Sequence, residues 1–109
     1  MDIIVVGCGK VGFTIVEQLS NEGHNIIAID ERQERIDKVK EELDVIGIVG
    51  NGVSYQVLMD AGITTANLLI SVTGSDEQNL LCCLIAKKAG HCQTIARVRN
   101  PVYSEETEI

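Results

Sequence analysis

A β-branched run, Ile3-Ile4-Val5-Val6, leads directly into Gly7-Cys8-Gly9-Lys10-Val11-Gly12, the pattern G-x-G-x-x-G. Each glycine has its own task in such a strand–turn–helix. Gly7 permits the tight turn out of the strand, Gly9 lets the backbone approach a pyrophosphate, and Gly12 lets the helix pack on the sheet. The first N–H groups of the following helix lack intrahelical acceptors, and they face the phosphates together with the positive end of the helix dipole. Asp30 stands about 20 residues further on, at the end of the next strand, placed to accept hydrogen bonds from a ribose diol. Three glycines alone are a weak signal. With the strand before, the helix after and the acid at that distance, they point to dinucleotide or nucleotide binding. A carboxylate there repels a 2′-phosphate, so the ribose should be unmodified, as in NAD(H) or ATP/ADP.

The remaining chain alternates strand-like and helix-like stretches. A helix over about Lys10–Glu22 carries Val11, Ile15 and Leu19 on one stripe and stops at Gly23. A strand at Asn25–Asp30 precedes an amphipathic helix over Glu31–Leu43, where Glu31–Arg35 and Glu34–Lys38 form i,i+4 pairs on a solvated face. Asp30 also has the position of an N-cap for this helix, with Gln33 as its box partner. A third strand at Val45–Val49 runs into Gly50-Asn51-Gly52 and a short helix, Ser54–Ala61. The fourth strand, Leu68–Val72, is followed by Thr73-Gly74-Ser75. Ser75 and Gln78 then form a capping box, Asp76 and Glu77 are first-turn acids, and Gly90 closes the helix. A fifth strand covers Thr94–Val98, and Asn100-Pro101 breaks the pattern.

The order βαβαβαβαβ, right-handed crossovers and the fingerprint together predict an α/β fold: a Rossmann-like doubly wound parallel sheet of strand order 3-2-1-4-5. Residues 1–100 would form this domain and 101–109 an acidic tail that opens a connecting segment. The sheet would be truncated at its C-terminal edge, where a further helix and strand would cover it. The ligand belongs outside the carboxyl ends of strands one and four. Its candidate contacts are Gly7, Cys8, Gly9, Lys10, Val11, Gly12, Asp30, Glu31, Asn51, Gly52, Thr73, Gly74, Ser75 and Arg97.

A net charge of −7, with nine basic residues dispersed among acids, argues against nucleic acid as a partner. The longest apolar run falls far short of the roughly 18 residues that cross a bilayer. The N-terminus does not have the form of a signal peptide. The chain reads as cytoplasmic, with no direct membrane insertion. Cys8, Cys82, Cys83 and Cys92 have no C-x-x-C spacing and read as reduced, buried thiols rather than metal ligands. Leu80-Leu81-Cys82-Cys83-Leu84-Ile85-Ala86 is apolar all round, so one helix face packs on the sheet and the other seeks a second subunit. No Tyr-x-x-x-Lys pair appears, which favours a binding module, with a fragment of an NAD-dependent dehydrogenase as the alternative.

Four stretches carry a resemblance to one family: Ile4–Gly12, Ala28-Ile29-Asp30, Ile48–Gly52 and Ala66–Lys88. The last is the most specific, in the form Ala66-x-x-x-Ile70-x-Val72-Thr73-Gly74-x-Asp76-Glu77-x-Asn79-Leu80. Thr94-Ile95-Ala96-Arg97-Val98 and Asn100-Pro101 extend it. In these the chain resembles the KTN or RCK nucleotide-binding domains of Trk-type potassium-transport regulators. The resemblance implies a non-enzymatic domain that binds NAD(H), or ATP/ADP, and signals to an integral membrane potassium transporter subunit. It further implies dimers assembled into rings at the inner face of the membrane, and a following C-terminal ligand-binding domain. Where the family has Gly-Asp-Ala, this chain has Gly50-Asn51-Gly52; Asn51 keeps an acceptor for the adenine amino group in its amide oxygen, without the charge.

Overall fold

The computed structural model describes residues 1–106. Its elements run β1 (Asp2–Val6), α1 (Lys10–Asn21), β2 (Asn25–Asp30), α2 (Gln33–Glu42), β3 (Ile46–Val49), α3 (Tyr55–Asp60), β4 (Leu68–Ser71), α4 (Asp76–Gly90), β5 (Gln93–Ala96) and α5 (Pro101–Glu106). The strands form one sheet in the order β3-β2-β1-β4-β5, every neighbouring pair parallel. This is the expected doubly wound, Rossmann-like arrangement. The order reverses between β1 and β4, and their carboxyl ends diverge there into separate loops.

Burial on both faces explains the unbroken β-branched runs. Successive side chains of a strand point to opposite faces. Ile3 and Val5 of β1 join Ala28, Ile36, Val39, Val16 and Ile70 in a core under α1 and α2. Ile4 and Val6 join Ile29, Leu58, Leu69, Cys83 and Ala86 in a second core under α3 and α4. Outside the second core, Leu81 and Leu84 of α4 remain 47% and 49% exposed, so the middle of that helix's outward face is apolar and uncovered in the single chain, between Glu77 and Gln78 at one end and Lys87 and Lys88 at the other. No helix of the described residues is long and apolar enough to cross a membrane.

The structure corrects several element boundaries and adds a fifth helix. Helix α2 begins at Gln33 rather than Glu31, because the Arg32 N–H donates to Asp30 Oδ1 at 2.9 Å and holds the intervening loop off the helix. Strand β5 is Gln93–Ala96, not Thr94–Val98. The Arg97 N–H still donates to the Ser71 carbonyl, but those of Arg99 and Asn100 donate to the two carboxylate oxygens of Asp76 at 3.0 and 2.9 Å, drawing the chain out of the sheet. Asn100-Pro101, expected to break the pattern, instead opens α5: the Asn100 side chain accepts from the Val102 N–H at 3.1 Å, with proline at the first helical position. Residues 107–109 of the expected tail lie outside the described residues.

Gly90 does not take the left-handed cap of α4. His91 does, at φ 58°. Gly90 is required for another reason, since a Cβ there would run into the Ile63 carbonyl oxygen. The four cysteines are free and buried, as expected. Burial pushes the Cys8 and Cys82 thiols up to about 12 and Cys83 to about 11, so all three are protonated at neutral pH.

Candidate functional site

The three glycines of the fingerprint turn divide into two kinds. Gly7 has φ +99°, and a Cβ on it would press against the Val72–Thr73 peptide, 2.8 Å from Thr73 N. A Cβ on Gly12 would overlap the Gly7 carbonyl oxygen, so α1 can start this close to β1 only without one. Gly9 is different. It occupies the N-cap of α1 in extended conformation, and the nearest group to a Cβ there would be the Arg35 guanidinium, at 3.4 Å, an ordinary contact. The fold therefore demands Gly7 and Gly12 but makes no such demand of Gly9. As an N-cap without a side chain, Gly9 also leaves the first-turn N–H groups of α1 uncapped, whereas Ser54 and Ser75 cap α3 and α4.

Asp30 ends β2 beside this turn and is 7% exposed. Its Oδ2 accepts from the Cys8 N–H at 2.7 Å and its Oδ1 from the Arg32 N–H at 2.9 Å. The carboxylate is thus fixed by the backbone on both sides, with a lone pair left on Oδ1 for a further donor and that of Oδ2 facing Arg35. The capping box with Gln33 does not form; that side chain donates to Asp37 instead. The expected i,i+4 pairs give way as well. Arg35 turns to Asp30, Nη1 lying 3.5 Å from Oδ2, and the Lys38 ammonium stands 4.7 Å from the centre of the Phe13 ring.

Across the sheet, the loop after β4 is held by a fully buried amide. Asn79 Nδ2 donates to the carbonyls of Thr73 and Arg97 at 3.1 and 2.9 Å, and its Oδ1 accepts from Ser71 Oγ and Thr73 Oγ1 at 3.0 and 2.6 Å. One side chain thereby ties the ends of β4 and β5 together and fixes the loop Thr73–Ser75. Ser75 caps α4 through the Gln78 N–H at 3.2 Å, as its position in the sequence predicts. Asp76 faces the β5–α5 connection rather than the loop. The N–H groups of Arg99 and Asn100 hold its carboxyl below the usual value.

Between these loops lies a crevice of about 460 Å³ at the carboxyl ends of β1 and β4, within the range of small-ligand sites. Of the candidate contacts, Gly7, Gly9, Lys10, Val11, Asp30, Glu31, Gly52, Thr73, Gly74, Ser75 and Arg97 line it. Cys8, Gly12 and Asn51 are not among the lining residues. The Cys8 thiol is buried toward the Ile29 carbonyl, and only its N–H serves the site, through Asp30. Asn51 uses its amide oxygen on the Val53 N–H at 2.9 Å, folding its own loop. One lone pair of the expected adenine acceptor is thereby engaged. Arg32, Arg35, Val53 and Gln78 line the crevice without having been assigned to it. Its charged lining is Lys10, Arg32, Arg35 and Arg97 against Asp30 and Glu31, four cations to two carboxylates on a chain of net charge −7.

Fold and crevice together define a Rossmann-like domain of the dinucleotide-fingerprint class. The chain belongs to the TrkA-N domain family, whose profile matches residues 3–108. It is 43% identical over 103 residues to the Trk system potassium uptake protein TrkA homolog of Archaeoglobus fulgidus, an alignment covering 94% of this chain and 23% of that protein. The chain therefore spans about a quarter of that relative. The TrkA-N domain of the inner membrane protein ybaL from Escherichia coli superposes with a TM-score of 0.86 at 22% identity, covering 93% of this chain and 75% of that one. The GsuK channel bound to NAD superposes at 0.83 with 21% identity, covering 95% and 19%.

Proposed function

We propose that this domain binds an adenine nucleotide, NAD(H) or ATP/ADP, in the crevice and serves as a regulatory, non-enzymatic part of a potassium-transport system. The observation that carries the reading is a cationic crevice on an acidic chain, with the uncapped N-terminus of α1 at one side and the backbone-fixed Asp30 carboxylate at the other. The first suits phosphate and the second a ribose diol. Lys10 and Arg97 supply charge toward the phosphates, Gly52 and Val53 a wall for the adenine, and Thr73–Ser75 the rim for the far end of the ligand. The A. fulgidus relative is named for potassium uptake, and the GsuK channel structure is bound to NAD. A hydride-transfer enzyme needs a proton donor or acceptor beside the nicotinamide. Among the described residues no His or Tyr lines the crevice, which favours the sensor over the dehydrogenase reading.

The partner in this reading is an integral membrane potassium transporter subunit, with the domain on the cytoplasmic side. Self-association through α4 accompanies it, as a dimer or a larger ring. Leu81 and Leu84, half exposed on that helix, supply the apolar contact. Sedimentation should show the chain as a dimer or larger at tens of micromolar and Leu84→Glu as predominantly monomer. A monomeric parent chain would contradict the assembly. Titration calorimetry with NADH, NAD, ATP and ADP tests the ligand class: saturable binding of at least one supports it, and heats no larger than dilution for all four would overturn it.

A further inference from the structure

We propose that Arg35 contacts the ligand itself: resting on the reading of the crevice as a nucleotide site, its guanidinium takes the phosphate joined to the adenine-side ribose. Helix α2 delivers Arg35 into the crevice rather than to the solvated partner Glu31, which lies four residues before it. What it meets is modest. Nη1 lies 3.5 Å from Asp30 Oδ2, a single long contact made by a group with five N–H donors in a rigid fork. Asp30 satisfies its own acceptors through the Cys8 and Arg32 N–H groups at 2.7 and 2.9 Å, so it is positioned without the arginine.

The second observation is where the guanidinium rests. Nη1, Cζ and Nη2 stand 3.4, 3.5 and 3.6 Å from the place a Cβ of Gly9 would occupy. Three nearly equal distances mean that the plane lies flat over that glycine. Gly9 is the N-cap of α1, where the free N–H groups begin. Arg35 thus bridges the two halves of the site, the acid suited to a ribose and the helix end suited to a phosphate. In a nucleotide the 5′ carbon joins those same two groups, so a ligand whose ribose meets Asp30 carries its first phosphate past Arg35. The side chain is 40% exposed against 6% for Asp30, so it is the arginine that is free to move. It would exchange one long contact for a paired, charge-assisted grip on phosphate oxygens.

The alternative is that Arg35 acts only by steadying Asp30. Affinities for adenosine, AMP and ADP, measured for the parent chain, Arg35→Ala and Arg35→Lys, separate the two. Thermal melts serve as a check that each variant is folded. Arg35→Ala should lower affinity for AMP and ADP about tenfold or more, the scale of a lost charged hydrogen bond, and change adenosine little. Arg35→Lys should recover part of the loss, as a point charge without the fork. Equal losses for adenosine and ADP would overturn the proposal in favour of a positioning role, and unchanged affinities would overturn it outright. Failure of the parent chain to bind any of the three is a separate result, one that removes the nucleotide reading and this inference with it.

Discussion

Gly12→Ala is expected to lower the stability of the chain by about 3 kcal/mol, at the upper end of what overpacking costs. The added methyl would overlap the Gly7 carbonyl oxygen, with the Gly7 carbonyl carbon at 2.7 Å and Val72 Cγ2 at 3.3 Å. Neither neighbour can yield cheaply. Gly7 is held at φ +99° with its N–H on the Ile29 carbonyl at 2.8 Å, and Val72 donates to the Val6 carbonyl at 2.8 Å. Relief requires α1 to lift away from β1, which opens the core around Val16 and Val5. Urea titration should show the midpoint falling sharply, whereas Gly9→Ala, whose methyl has a half-exposed arginine as its nearest neighbour at ordinary contact distance, should keep a midpoint close to the parent's. Equal midpoints for Gly12→Ala and the parent would contradict the packing described.

Asp30→Ala should weaken binding of NADH or ADP by about 1–3 kcal/mol, which is roughly fivefold to 150-fold in affinity. It should also destabilise the chain, because the buried Cys8 N–H loses its acceptor. These two effects need separating, and Asp30→Asn does so. Its amide oxygen can still accept one of the two backbone N–H groups that Asp30 serves, so part of the stability returns. Affinity for the ribose diol should remain low, since the charge is gone. Calorimetry on both variants, alongside their melting curves, gives the answer. An Asp30→Ala protein that is folded and binds as tightly as the parent would remove Asp30 from the ribose.

What the sequence makes legible here is whatever is decided within a few residues. The turn Gly7–Gly12 and the strand Asn25–Asp30 are fixed by local sterics and hydrophobic runs, and the structure keeps both. The strand order follows from right-handed crossovers and the fingerprint turn together, once the alternation of elements is read. The errors arise where a distant group competes for a nearby one. Asp76 reads as a first-turn acid of α4, yet it captures two N–H groups 23 and 24 residues away and ends β5 early. Asn100-Pro101 carries both a stop signal and a helix start, and local pattern cannot choose between them.

The site shows the same division. Arg35 lies four residues from Glu31, so helical spacing assigns it to solvent; only the packing of α2 across the fingerprint turn reveals it over Gly9. Asn79 did leave a trace, as an amide at the start of an otherwise apolar run in α4. A polar side chain entering a buried stretch must find partners, and that rule could have singled it out. Asn51 carries a local signal as well, since Asn in a turn commonly bonds the backbone two residues on, here Val53, which engages one lone pair of its amide oxygen.

Backbone amide NMR of the isotopically labelled chain during titration with ADP decides whether the crevice between the carboxyl ends of β1 and β4 is an adenine-nucleotide site. A nucleotide bound there should give saturable shifts concentrated at Gly9, Lys10, Val11 and Gly12, at Asp30–Arg32 and at Thr73–Ser75, with α4 beyond its first turn little affected. Shifts confined to the amino ends of the strands, around Ser20–Asn25 and Leu43–Ile46, or no saturable shift at any concentration of ADP, would contradict it.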